Sequence, residues 1–183
     1  MSIGNTFASQ LLNLIFNATA IADYAENDTT SPAASVWVSL HYDDPGEAGV
    51  QNTNEASYTS YARVARSRAN SSGGWAAATA TDPAQVTPHT TNIDFPESTG
   101  AEPNGGGVLD FFATGGALSG ANAYFWSGGV SPTITVAASG VTPRLTTATA
   151  IQLDASWLAT LTVVWLLFKL GVITWLASLG LTL

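Results

Sequence analysis

Alternation of hydrophobic and polar side chains is clearest in residues 36–42, where it predicts a β-strand. In that strand Val38 and Leu40 would face one side of a sheet, and Ser39 and His41 the other. The sequence Asp-Asp-Pro-Gly-Glu follows, and its turn-forming residues predict a sharp reversal of the chain. The strand is therefore expected to end close to the histidine.

The rest of the polar part of the chain holds further short strand candidates. They are residues 60–65, 74–78, 92–95, 108–113, 123–126, 133–136 and 151–154. Glycine pairs and triplets lie between them and predict turns. Many short strands separated by turn residues are typical of an antiparallel sandwich or barrel. The sequence has no internal repeat of the kind that a solenoid would show. We expect a mainly β protein built as an antiparallel β-sandwich.

The N-terminal residues 1–22 predict a short amphipathic helix that Asn5 or Thr6 caps. Its apolar positions recur on one face, which is formed by Phe7, Leu11, Leu14 and Ile15. Such a helix either packs on its own domain or docks on a partner, and the pattern leaves both open. The body of the protein would then span residues 23–154.

The C-terminal residues 155–183 form a different kind of segment. From residue 157 onward they carry one charge, Lys169, in an otherwise apolar run, which predicts a long apolar helix. One seam of that helix repeats at spacings of three and four residues and comprises Leu158, Leu161, Trp165, Phe168, Val172, Trp175 and Leu179. The other faces are apolar too, and Gly171 and Gly180 leave open a pair of shorter helices. The segment is long enough to cross a bilayer, and from the sequence alone a membrane anchor is favoured over the core of an oligomer.

The net charge of −8, with five Lys and Arg residues in all, argues against a nucleic-acid-binding protein. Arg63, Arg66 and Arg68 lie close together, and we interpret them as a solvated strand face and not as a binding patch. The absence of cysteine excludes disulfides and thiolate metal sites.

No motif for catalysis or for a cofactor stands out. The chain has no Gly-x-Ser-x-Gly sequence, and its glycine-rich runs lack the Lys-Ser/Thr of a phosphate-binding loop. His41 beside Asp43 and Asp44 would in principle contribute to a cation site, but the segment reads first as a turn. A distant pair of carboxylates is not excluded by sequence. We expect a protein that is not an enzyme, with no metal and no cofactor.

Several motifs in the body resemble those of a known family. They are residues 40–49, Thr53-Asn54-Glu55, Tyr61-Ala62-Arg63-Val64, Trp75, Ile93-Asp94-Phe95-Pro96, Thr99-Gly100 and 151–154. Together with the N-terminal helix they resemble small structural proteins of tailed bacteriophages and prophages that carry the label "phage tail fiber protein". The resemblance covers roughly residues 3–154. It implies a β-rich virion component and brings no catalytic residues.

With the resemblance taken into account, an oligomer core is favoured over a membrane anchor for the C-terminal helix. We then predict a virion structural protein that decorates or cements the capsid surface as a homo-oligomer, as a trimer or another closed ring. Its partners would be copies of itself, the major capsid protein or tail proteins, and host surface glycans near the acidic loops. The alternatives are a tail-fibre or tail-tip adhesion module and a membrane-anchored surface protein.

Overall fold

The computed structural model describes residues 2–4, 6–7, 21–22, 24–25, 33–68, 70–79 and 84–153. In these residues the protein is mainly β, and the neighbours in its large sheet pair antiparallel, as predicted. The strands are β1 (Ser2–Ile3), β2 (Ser35–His41), β3 (Val64–Ser67), β4 (Ala84–Val86), β5 (Ile93–Asp94), β6 (Val108–Gly115), β7 (Tyr124–Thr135), β8 (Arg144–Leu145) and β9 (Ile151–Leu153). A short 3₁₀ turn, Gly105–Gly107, precedes β6.

The largest sheet has five strands in the order β1-β7-β6-β2-β3. Strands β6 and β7 form a hairpin, and β2 pairs along the other side of β6 with Leu40 opposite Phe112. Strand β3 forms the far edge, with Val64 opposite Val38. Strands β5 and β8 make a separate two-stranded sheet in which Ile93 lies opposite Leu145.

One face of the large sheet carries the main hydrophobic core. Val38 and Leu40 point to this face and are fully buried, at 0% exposure. The core also takes residues from the β5–β8 sheet and from loops, and its larger members are Val38, Leu40, Tyr58, Ile93, Phe95, Leu109, Phe112, Val136, Leu145 and Ile151. Complete burial of each large apolar side chain stabilises the fold by about 1.5–3 kcal/mol, so this cluster is the main source of stability in the described residues.

The opposite face of the sheet is covered by the segment that follows β2. Small residues line this face, including Ser39, Ala113 and Gly115, and they let residues 43–54 approach the strands closely. A Cβ atom on Gly115 would lie 2.5 Å from the fully buried side chain of Gln51, so a larger residue there would have to displace that side chain. The high content of small residues therefore serves close packing of a loop on a sheet.

Strand β7 differs from the prediction of two strands at 123–126 and 133–136. The intervening Gly128 and Gly129 suggested a turn, but they lie within β7 opposite Phe112 and Phe111. Glycines within a strand leave room for bulky residues on the neighbouring strand, which explains their place in β7. A pair of glycines is also common in turns, and for that reason the sequence suggested a break in the strand. A shift of register follows in the stretch of β7 beside Asp110.

Other predicted strands are shifted or shortened. The candidate at 60–65 is observed as Val64–Ser67, because Ser60 has φ +80° in the left-handed region and interrupts the extended backbone. The candidate at 74–78 is reduced to isolated bridges at Gly74 and Trp75. The strands β4 and β8 were missed, since a run of two or three residues carries no detectable periodicity.

The chain divides into two compact units, residues 1–77 with 86–151, and residues 78–85 with 152–183. Of the second unit the structure describes residues 78–79, 84–85 and 152–153. Within this unit the side-chain amide of Gln152 donates a hydrogen bond of 3.2 Å to the side-chain oxygen of Gln85. No helix among the described residues is long and apolar enough to cross a membrane.

The two predicted helices fall largely outside the described residues. Thr6 and Phe7 are helical, and the remainder of the N-terminal helix is not described. The C-terminal helix predicted within 155–183 lies wholly outside, as does its seam. The domain boundaries at residues 22 and 154 therefore stay predictions.

Candidate functional site

Buried polar side chains form a network between β2, the loop after it and the β6–β7 hairpin. Among the described residues, Ser39, His41 and Gln51 are 0% exposed and Arg63 is 6% exposed. Buried polar groups are costly unless they are hydrogen-bonded, so their partners reveal what the network does.

His41 and Ser39 form a hydrogen-bonded pair on the covered face of β2. The carbonyl oxygen of Thr53 lies 2.8 Å from Nδ1 of His41 and can only accept, so Nδ1 carries the proton. Nε2 is then the acceptor, and the hydroxyl of Ser39 donates to it over 2.9 Å. Burial lowers the pKa of His41 below its ordinary value of 6.5, so the ring is neutral at physiological pH.

Glu55 and Arg63 form a buried ion pair beside this histidine. Nε and Nη2 of Arg63 donate to the two carboxylate oxygens of Glu55 over 2.6 and 2.7 Å, which is a bidentate arrangement. The side chains are 2% and 14% exposed. The hydroxyl of Tyr61 donates to the same carboxylate over 3.0 Å, and burial raises the pKa of Tyr61 well above 10. All three residues come from the motifs that carry the family resemblance.

The ion pair holds the loop that joins β6 to β7, residues 116–123, which we name the hairpin tip. Arg63 donates from Nη1 to the carbonyl oxygen of Ala117 over 3.0 Å and from Nη2 to that of Gly120 over 2.9 Å. The side-chain oxygen of Gln51 accepts from the backbone amide of Ala117 over 3.3 Å, and the backbone amide of Gln51 donates to the carbonyl of Asn122 over 2.7 Å. The hairpin tip is thus held in place by hydrogen bonds to the buried residues Gln51 and Arg63.

Glu102 plays a similar part at another loop junction. One of its carboxylate oxygens accepts from the backbone amides of Ser57 and Tyr58 over 2.6 and 2.8 Å. The other accepts from the backbone amide and side-chain amide of Asn104, both over 3.1 Å. Burial and the nearby charge of Glu102 raise the pKa of Tyr58. This carboxylate therefore joins two loops through their backbone amides.

Arg66 is buried without a carboxylate partner among the described residues. It is 4% exposed, and Nη2 donates to the carbonyl oxygens of Gly74 and Thr91 over 2.8 and 3.2 Å. Burial lowers the pKa of Arg66. Since Arg63 and Arg66 are both buried, the prediction that the arginine cluster forms a solvated strand face was wrong for these two. The alternation of residues in the strand did not indicate that loops cover the side chains of Arg63 and Arg66.

Ser39 and His41 lie at the distance of a nucleophile and its general base, but a substrate has no path to them. Both residues are 0% exposed, and a substrate has to come within about 3 Å of the nucleophile to react. The histidine is oriented by the backbone carbonyl of Thr53 and not by a carboxylate. The contacts of the two side chains hold the backbone at Thr53 and join neighbouring positions of β2.

Asp43 and Asp44, considered above with His41 as cation ligands, instead shape the turn after β2. Oδ1 of Asp43 accepts from the amide of Asp44 over 2.8 Å, and Oδ1 of Asp44 accepts from the amide of Gly46 over 2.9 Å. Both ring nitrogens of His41 are engaged elsewhere. No group of three or more His, Asp and Glu side chains in the described part of the chain is placed to hold a metal ion.

The predicted docking helix has one described side chain, that of Phe7. It is 6% exposed, and its ring centroid lies 4.6 Å from that of Phe125 and 4.8 Å from that of Trp126. Phe7 thus packs on the body of its own chain. The other members, Leu11, Leu14 and Ile15, and the seven seam residues lie outside the described residues, so a docking role and an oligomer interface stay predictions.

Sequence reasoning missed Gln51 and Glu102 as organising residues. Gln51 follows the acidic turn with no periodic signal, and Glu102 stands before a Pro-Asn-Gly segment that reads as an ordinary loop. Glu55 and Arg63 were noticed only as parts of motifs. Their pairing depends on the loop folding back onto the sheet, which no local pattern specifies.

One family model matches most of the chain. The model describes the podophage GP4 fiber I protein gp80, and the match extends over residues 2–152. No curated protein matches the chain significantly. The matched range includes the five-stranded sheet, the buried polar network and the hairpin tip, and it ends before the apolar C-terminal segment.

Proposed function

Because the chain belongs to the family of the podophage GP4 fiber I protein gp80, a phage fibre family, we propose that it serves as a tail-fibre adhesion module of a virion. A member of this family is a virion-associated structural protein. The family match over residues 2–152 is the observation that carries the proposal, and it favours the tail-fibre role over the capsid decoration that the sequence alone suggested. The predicted location on the head surface is accordingly the second candidate.

A non-enzymatic role agrees with the chemistry of the described residues. The carboxylates of Glu55 and Glu102 and the ring of His41 are committed to internal hydrogen bonds. A protein that holds loops rigidly in place is suited to binding, because a pre-organised surface loses little conformational entropy when it meets a partner.

We further propose that the body is a sandwich-type fold. The five-stranded sheet and the β5–β8 sheet contribute to one hydrophobic cluster, which is the arrangement that two packed layers require. The predicted apolar seam within residues 155–183 would join several copies into a homo-oligomer, with membrane anchoring as the alternative use of so apolar a segment.

The test of the adhesion role is a competition experiment. Purified full-length protein, added to cells that the parent phage infects, is expected to slow adsorption of the phage in a saturable manner. A protein that decorates the head would leave adsorption unchanged. Quantitative gel analysis of purified particles adds a second readout, because a tail fibre is present in a small number of copies and a head decoration in hundreds.

A further inference from the structure

We propose that Asn104 is a site of spontaneous deamidation that the folded protein protects, and that loss of its amide group weakens the loop junction that Glu102 makes. Asn104 precedes Gly105, and this is the one Asn-Gly pair in the sequence. Glycine has no side chain to hinder its backbone nitrogen, so an asparagine followed by glycine is the form most open to attack by the next amide. The reaction requires water and no enzyme.

The reaction is an intramolecular displacement followed by hydrolysis. The backbone nitrogen of Gly105 forms a bond to the side-chain carbonyl carbon, Cγ, of Asn104. The bond from Cγ to Nδ2 breaks, the proton of the attacking nitrogen passes through water to Nδ2, and ammonia leaves. Water then opens one of the two carbon–nitrogen bonds of the cyclic imide. One opening gives aspartate, and the other gives isoaspartate, in which the main chain runs through the former side chain.

The fold holds the leaving group of this reaction in place. Nδ2 of Asn104 donates to the hydroxyl oxygen of Ser57 over 2.9 Å and to a carboxylate oxygen of Glu102 over 3.1 Å. Glu102 is 4% exposed, and the same oxygen accepts from the backbone amide of Asn104 over 3.1 Å. Hydrogen bonds to a charged acceptor are stronger than those between neutral groups, so the side chain is kept in one orientation.

The attacking nitrogen is held out of reach as well. The imide ring requires the nitrogen of Gly105 to eclipse Cβ of Asn104, and the extended backbone of Asn104, with φ −105° and ψ 165°, does not allow this. Rotation about ψ is opposed by the following turn, in which the amide of Gly107 donates to the carbonyl of Asn104 over 2.9 Å. Gly105, at φ +58°, also lies against Tyr42, since an added Cβ would come within 2.8 Å of Cβ of Tyr42. Deamidation therefore requires the turn to open first.

Conversion of the amide replaces an attraction at the junction by a repulsion. Nδ2 is a donor, whereas the oxygens of the product carboxylate only accept, and Nδ2 now lies 3.1 Å from the carboxylate of Glu102. Two ionised carboxylates at such a distance repel each other. Glu102 also binds the backbone amides of Ser57 and Tyr58, so the repulsion acts on both loops. A chain that deamidates while it is unfolded is expected to refold to a less stable protein.

The first experiment compares folded and guanidinium-unfolded full-length protein, incubated side by side at mildly alkaline pH. Peptide mass spectrometry follows the conversion of Asn104 to aspartate and isoaspartate. Deamidation is expected to be at least about tenfold slower in the folded protein, because hydrogen bonds to a charged acceptor must open before attack. Equal rates in the two states would overturn the protection, and an unchanged Asn104 in the unfolded chain would overturn the site itself.

A pair of variants tests whether the tether to Glu102 provides the protection. Glu102→Gln weakens the tether and is expected to deamidate faster than wild type at Asn104 in the folded state. Glu97→Gln makes the same change on an exposed side chain and should match wild type. Where Glu102→Gln does not fold, Ser57→Ala removes the other acceptor of Nδ2 and takes its place. A wild-type rate in the folded variant would overturn the role of the tether.

The consequence for stability is measured on Asn104→Asp, which carries the product carboxylate. Its melting temperature is expected to lie a few degrees below that of wild type. Asn122→Asp introduces the same charge at an exposed position and should melt close to wild type. A melting temperature of Asn104→Asp equal to that of wild type would overturn the claim that the amide is needed at the junction.

Discussion

Replacement of Glu55 by Gln is the most direct perturbation of the buried network. The variant keeps the size of the side chain but removes the charge that neutralises Arg63, whose side chain is 2% exposed. It also places an amide group where a carboxylate oxygen now accepts from Nε or Nη2 over 2.6 or 2.7 Å. Breaking a buried pair from one side leaves an uncompensated charge and costs about 3–5 kcal/mol. For a chain of this size that corresponds to a fall in melting temperature of roughly 6–20 °C.

The assay is thermal and urea unfolding of the full-length protein, with two comparison variants. Asp94→Asn breaks the ion pair with Arg144, whose side chains are 52% and 49% exposed, and should leave the melting temperature nearly unchanged. The double variant Glu55→Gln with Arg63→Met removes both charges and should recover part of the loss. A loss below about 1 kcal/mol for Glu55→Gln alone would refute the reasoning that the pair is desolvated.

The remaining predictions concern the same covered face of the sheet. Burial lowers the folded-state pKa of His41 below its ordinary value of 6.5, so the contribution of the neutral ring to stability is complete above that pH, and the free energy of unfolding should slope downward as the pH falls below it. Urea unfolding at each pH should show that slope in wild type and in His89→Asn but not in His41→Asn; an equal slope in all three proteins would contradict it. Gly115→Ala should destabilise by about 1–3 kcal/mol because its Cβ meets Gln51 at 2.5 Å, whereas Gly129→Ala, with its nearest neighbour at 3.8 Å, should not. Equal melting temperatures for the two alanine variants would show that the glycine is not required by space.

The mainly β, antiparallel character of the fold followed from local patterns, but its details did not. Strand β2 was predicted almost to its ends, because alternation is strong in residues 36–42 and a turn sequence follows at once. The long strand β7 was predicted as two short strands because Gly128 and Gly129 suggest a turn, and only the phenylalanines opposite them on the neighbouring strand explain these glycines. Pairing across strands is not visible in a local window, so such glycines are ambiguous from sequence alone.

The polar network was still harder to foresee. Glu55 and Arg63 are eight positions apart with no helical or strand spacing that brings them together. Their contact, like that of Gln51 with Gly115, depends on a loop that folds across the sheet. Charged residues in a polar chain are usually exposed, and nothing in the composition marks these as buried. The family motifs contained the right residues, while their role became clear only from the contacts.

A fibre component that acts at the tail of the virion, as we propose for this protein, has a definite place on the particle. Immunogold electron microscopy of purified particles, with antibody against the purified protein, tests it most directly. We expect sparse label confined to the tail region, in line with the fibre family that matches residues 2–152. Dense label over the heads would support decoration of the capsid instead. Absence of label from intact particles would contradict a virion role altogether.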